Sequence, residues 1–172
     1  MPRFSEIPKL IKSNYRINVP LRDVSKKLAE WKYEQEAAGY KFELNPLFQR
    51  GHIWSGQQQV AYVEWVLRGG ITGLEIYFNH PAWFTNYKAN MVCVDGLQRL
   101  TAVQRFLNNE IPAFGSLLCD YEDKLPTDVA LYFNVGCMPE NAVIRWYLEM
   151  NFTGTPHTPE ELARVRKLLE NK

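Results

Sequence analysis

Apolar and polar positions divide this chain into short strand-like runs and longer amphipathic runs. Tyr15-Arg-Ile-Asn-Val-Pro20 alternates with period two and predicts a short edge strand. Leu21, Val24, Leu28 and Trp31 then recur at helical spacing up to Ala38, with Lys26, Lys27, Glu30 and Glu34 on the wet face and Gly39 as the stop. Ser55 and Gln58 form a capping box for a second helix carrying Val60, Val63, Trp65, Val66 and Leu67, which Gly69-Gly70 ends. Strands are expected at 74–78 and 91–94, the latter turning through Asp95-Gly96 into a helix over 97–107 with Leu100, Val103 and Leu107 on one face. Leu125-Pro126-Thr127 predicts a short helix reaching Phe133. Pro139 opens a firmer helix with Val143, Ile144, Tyr147 and Leu148 facing inward. Thr158-Pro159-Glu160-Glu161 caps a closing helix with Leu162, Val165, Leu168 and Leu169. Strands interspersed with helices of both lengths give an α+β expectation: a small mixed sheet packed by several helices.

A chain of 172 residues with 46% hydrophobic and 13% aromatic content is long enough for one domain with a real core, and argues against disorder. The expected single domain runs over 1–172, with 1–38 as an N-terminal extension and helix. The net charge of +1 supplies no global field toward nucleic acid or membrane. Its distribution is uneven, since residues 1–32 hold eight Lys/Arg against three Asp/Glu and residues 108–149 hold two against seven. The basic segment could touch phosphates or an acidic partner, although a solvated helix face explains it as well. Cys93, Cys119 and Cys137 form no close pair, which excludes a CxxC metal or redox motif and favours a reducing, cytoplasmic compartment. No apolar run approaches the roughly 20 residues that span a bilayer, so no membrane role is expected.

Candidate chemistry concentrates where Met91-Val-Cys-Val-Asp95 meets Gly96 and the following helix. A helix beginning there aims its leftover N–H groups and positive dipole end at whatever lies over the turn, which suits a phosphate or carboxylate. Arg99, in the first turn, could add a bidentate contact. The same residues also make an ordinary strand-to-helix turn with Asp95 as cap and Arg99 in water, and spacing alone does not choose. Upstream, Gln49 and Arg50 stand between Phe48 and Trp54, a polar pair able to reach a ligand from an apolar wall. Trp83, Phe84 and Tyr87 could stack a base, but with Lys88 as the one basic neighbour packing is the expectation. Asp120, Glu122 and Asp123 lack the glycine and terminal glutamate of a calcium loop and read as a solvated loop.

Asp95-Gly-Leu-Gln98-Arg99-Leu resembles the DGQQRL signature of the ParB-like domain at the N-terminus of GmrSD-type restriction proteins, in the ParB/sulfiredoxin superfamily. Two more stretches fit in order. Pro46-Leu-Phe-Gln49-Arg50-Gly-His-Ile-Trp54 is similar to the family's P-x-x-Q-R-x-x-V-W box, and Met150-Asn151-Phe-Thr-Gly154-Thr155-Pro156-His-Thr-Pro-Glu160-Glu161-Leu162 to its F-x-R-L-N-x-x-G-T-P-L-T-x-x-E-L stretch. The match covers residues 40–165. Leu97 replaces the first glutamine of the signature, and Glu149 stands where the third box has Leu or a basic residue.

The resemblance implies a ParB/sulfiredoxin-like fold and a nucleotide site formed by Gln49, Arg50, Gly96, Gln98, Arg99, Asn151 and Thr155. Asp95 and Arg99 would be catalytic, with Asp95 the ligand of Mg²⁺ accompanying a nucleoside triphosphate. The activity implied is that of a small NTP hydrolase or phosphotransferase linked to DNA restriction or phage-host conflict. Such compact domains are what mobile elements often carry. The other reading is a non-catalytic interaction module that binds DNA or a protein, an inhibitor or decoy of a larger restriction-type system. His52, His80 and His157 form no nuclease pattern, so a stand-alone DNA cutter is not expected.

Overall fold

Five strands form one mixed sheet in the order β1-β5-β3-β4-β2. The computed structural model describes residue 3 and residues 14–49, 54–151 and 159–170. The strands are β1 (Asn14–Pro20), β2 (Phe42–Glu43), β3 (Glu75–Asn79), β4 (Met91–Asp95) and β5 (Ala130–Gly136). The helices are α1 (Val24–Ala37), which follows a short 3-10 turn, α2 (Gly56–Leu67), α3 (Leu97–Leu107), α4 (Glu140–Asn151) and α5 (Pro159–Glu170). The α+β architecture expected from the pattern is the one observed. Antiparallel pairs join β1 to β5 and β3 to β4, and parallel pairs join β3 to β5 and β2 to β4.

Strand alternation sorts the side chains onto two faces. Val19, Ile76, Phe78, Met91, Cys93, Leu131, Phe133 and Val135 form the first face and are buried with Val24, Leu28 and Trp31 of the N-terminal helical segment and with Leu100 and Val103 of α3. Trp31 meets Phe78 edge-on at 5.2 Å between centroids, an arrangement that the ring quadrupoles favour. On the second face, Val94 packs with Val143, Ile144, Trp146 and Tyr147 of α4 and with Phe48 and Val165. That cover sits over the β4 side. Toward β1 the second face carries Arg16, Glu75, Tyr132 and Asn134, all polar.

One element differs in kind from its expectation. The short helix predicted up to Phe133 is instead the strand β5, paired on both sides by β1 and β3. Leu131, Phe133 and Val135 lie on the apolar first face and Tyr132 and Asn134 on the polar second face, so the period-two pattern of a strand is present in the sequence. The Pro126 start signal competes with that alternation, and pairing on both sides decides for the strand. The two-residue β2 was also absent from the sequence reading. The Ser55 capping box is present in both halves, Ser55 Oγ accepting from Gln58 N at 3.2 Å and Gln58 Oε1 from Ser55 N at 2.8 Å.

Phe114-Gly115 is a two-residue turn with both residues at positive φ, +49° and +82°, and with Ala113 and Ser116 exchanging backbone hydrogen bonds of 2.9 and 3.0 Å. That is the type I′ pattern, in which Asn-Gly is the favoured pair. Phe114 is 54% exposed, so its ring recovers little of the backbone cost. Phe114→Asn is expected to stabilise the protein by about 1 kcal/mol. A lowered thermal midpoint would show that the ring's packing outweighs the backbone strain.

His80 is buried, with its ring 4.6 Å from that of Tyr87 and 5.8 Å from that of Trp83. Its Nδ1 accepts from Ala82 N at 3.2 Å, and Nε2 has no hydrogen-bond partner among the described residues. Burial disfavours the imidazolium and lowers the pKa from 6.5. The unfolded chain therefore binds the proton more readily. His80's contribution is fully present above the unfolded value of 6.5 and is lost as pH falls through the folded value. A smaller urea midpoint at about pH 5 than at about pH 7.5, with the difference reduced in His80→Phe, is the expected result. An unchanged difference in that variant would assign the acid sensitivity to other groups.

Candidate functional site

The end of β4 is where the predicted site residues collect. Gly96 follows Asp95 with φ +107°, and α3 begins at Leu97. A Cβ on Gly96 would lie 2.6 Å from Ile76 Cδ1 and 3.3 Å from Ile76 Cα, so the turn is seated directly on β3. Gly96 occupies the N-cap position and supplies no side-chain cap. The first amides of α3 therefore receive no cap from it.

Asp95 spends its carboxylate on Arg99, one helical turn later. Arg99 Nη2 donates to Asp95 Oδ2, and Nη1 donates to the Glu75 carbonyl at 2.6 Å. The side chains are 37% and 18% exposed, placing the pair at the mouth of the turn rather than in the core. Gln98 Oε1 accepts from Trp54 N at 3.0 Å and ties the start of α2 to α3. Gln49 is buried, its Nε2 donating to the Cys93 carbonyl and its own carbonyl accepting from Arg164 Nη2 at 3.1 Å. Gln49, Asp95, Gly96, Gln98 and Arg99 thus gather around the last residues of β4. Arg50 and Thr155 lie outside the described residues. Asn151 is the last residue of α4.

Five residues that the sequence reading did not select belong to the same neighbourhood. Arg16 Nη2 pairs with Glu75 Oε1 at 2.7 Å, and Asn134 Nδ2 donates to Glu75 Oε2. The Arg16 guanidinium lies 4.3 Å from the centroid of the Tyr132 ring. Tyr77 lies among all these charges: burial chiefly, then Glu75 and Asp95, raise its phenol pKa, and Arg99 and Arg16 oppose them. A single acid, Glu75, opening an otherwise uncharged strand was the available sequence signal.

No protein-family profile, curated protein or solved structure matches this chain. Its chemistry is read from these contacts.

Cys93 is fully buried, and burial pushes its thiol up to about 12 against a weaker opposing hydrogen bond from Gln49. It is a neutral core thiol at pH 7, not a nucleophile. Among the described residues no group of three His, Cys, Asp or Glu side chains converges to hold a metal ion. A groove of about 450 Å³ lies toward the start of β4, floored by Phe48, Val92 and Ile144, and does not include Asp95 or Arg99. Among the described residues no helix is long and apolar enough to cross a membrane.

Proposed function

We propose that this chain is a nucleotide-binding ParB-like domain, with the phosphates received at the Asp95–Arg99 turn and hydrolysed there. The observation carrying this reading is the partly open Asp95–Arg99 pair at the start of α3, a helix whose N-cap residue brings no side chain. An incoming phosphate competes with Asp95 for the Arg99 fork and meets the first turn and positive dipole end of α3. Asp95, released from Arg99, orients a water toward the terminal phosphorus. The water oxygen forms the new P–O bond and gives its proton to Asp95, the bond to the bridging oxygen breaks, and the nucleoside diphosphate departs.

The residues present fit one kind of metal involvement. Among the described residues no set of three ligating side chains converges on Asp95, which suits Mg²⁺ arriving on the phosphates and keeping most of its waters. When bound, the ion would screen phosphate charge, and Asp95 would offer it one oxygen. With its unpaired cysteines, the protein is placed by this reading in a reducing cytoplasm, in restriction or phage-host conflict.

A different observation favours the second reading, a non-catalytic module that binds DNA or a protein as an inhibitor or decoy. Gln49, Gln98 and both Arg99 Nη groups already hold internal partners. Titration with each NTP plus Mg²⁺, following melting temperature and phosphate release, separates the two. A raised midpoint with phosphate released supports the enzyme. No shift with any nucleotide supports the module.

A further inference from the structure

We infer that the binding site continues across the sheet to Arg16 and Glu75, so that its ligand is a polyphosphate chain engaging two guanidinium groups rather than one phosphate. This rests on the nucleotide reading above and extends it to residues far from the motif. The strand register supplies the geometry. Arg16 pairs with Asn134 across β1 and β5, and Asn134 pairs with Tyr77 across β5 and β3. Arg16, Asn134, Glu75 and Tyr77 consequently project from one face.

Both arginines touch the same residue, Arg16 at the Glu75 carboxylate and Arg99 at the Glu75 carbonyl. Continuing to Asp95, the row reads Arg16, Glu75, Arg99, Asp95, with charges alternating in sign. Tyr77, on the same face, lies within electrostatic reach of all four.

Arg16 is also held ready. Tyr132 lies beneath its guanidinium and Glu75 along one edge, yet its side chain is 53% exposed. Glu75 is fixed in turn by the buried Asn134 on its second oxygen. An exposed Arg-Glu pair by itself adds little stability, so bracing this planar cation from below and from the side has small structural return. It does lower the ordering cost of binding an anion. Successive phosphate groups can place non-bridging oxygens on separate guanidiniums, and a divalent cation carried between them meets Glu75 and Asp95. Orthophosphate has no second phosphate group to place on the other guanidinium.

The test uses the whole chain, with orthophosphate and inorganic tripolyphosphate as probes, titrated calorimetrically with and without Mg²⁺. Wild type is expected to bind tripolyphosphate at least tenfold more tightly than orthophosphate. Arg16→Gln, which keeps a hydrogen-bonding side chain on the strand, should lose on the order of tenfold for tripolyphosphate and nothing for orthophosphate. Arg16→Lys should recover part of the loss, and Glu75→Gln should shrink the difference that Mg²⁺ makes. Thermal melting of each variant controls for folding. If Arg16→Gln binds tripolyphosphate like wild type while Arg99→Ala does not, the extension to Arg16 is overturned and the Asp95–Arg99 reading stands. Equal weakening toward both probes also overturns it, because Arg16 would then not bridge. If wild type binds neither probe nor any nucleotide, both readings fail together.

Discussion

Gly96→Ala is expected to cost roughly 2–5 kcal/mol, from a residue forced to adopt positive φ and a methyl group driven into packed side chains. The two contributions have separate sources. Gly96 has φ +107°, outside the regions comfortable for an L side chain. Its new Cβ would also lie 2.6 Å from Ile76 Cδ1 and 3.1 Å from Ile76 Cγ2. Ile76 is fully buried in the first-face core and has nowhere to retreat. The loss would be a large fraction of the stability of an ordinary domain, about 5–15 kcal/mol. A double-mutant cycle divides it: Ile76→Val removes Cδ1, so the two changes together should cost less than their sum, and the remainder reports the backbone term together with the Cγ2 contact. A Gly96→Ala protein with the wild-type urea midpoint would overturn the argument.

The same contact shows how far the sequence carried this turn. A glycine after a strand-ending acid signals a tight turn, and the resemblance implies a place for it in a nucleotide site. The close approach present in the structure is that of its own β3. Asp95 and Arg99, four apart across a helix start, were legible because their proximity is local. The pairing of Arg16 with Glu75 was not, since 59 residues separate them and only the β1-β5-β3 register brings them together. Gln49 and Gln98 were selected as polar residues in the right places, but a side-chain amide carries no mark of its partner. Their bonds run to the Cys93 carbonyl and the Trp54 amide, joining chain segments to β4 and α3.

Amphipathic elements followed their patterns closely. Leu21, Val24, Leu28 and Trp31 are all buried, as their spacing required, and Gly39 stops the helix with φ +81°. The element lost was β5, where the Pro126 start signal competes with the alternation of Leu131, Phe133 and Val135 with Tyr132 and Asn134. Around the aromatic connection, Trp83 packs on Tyr15, Trp31 and Tyr87, in keeping with the packing expectation, while Phe84 remains exposed.

Asp95 and Arg99 should separate binding from chemistry when substituted in turn. Arg99→Ala removes a charge-assisted contact to phosphate worth roughly 1.5–3 kcal/mol, a ten- to hundredfold loss in nucleotide affinity. It also strips the Glu75 carbonyl of its donor, so a modest fall in melting temperature should accompany the loss. Arg99→Lys restores the charge without the planar fork and should recover only part of the affinity. Asp95→Asn keeps an oxygen that Arg99 can donate to, so the turn should hold its shape and nucleotide affinity should stay within a few-fold of wild type. The amide can neither accept a proton from water nor match a carboxylate as a metal ligand, so phosphate release should disappear. Retained phosphate release in Asp95→Asn would remove Asp95 from the chemistry. Should Arg99→Ala change only the melting temperature in a wild-type background that binds no nucleotide, the pair is a structural latch. The basic leading segment would then be the first surface to probe for a partner.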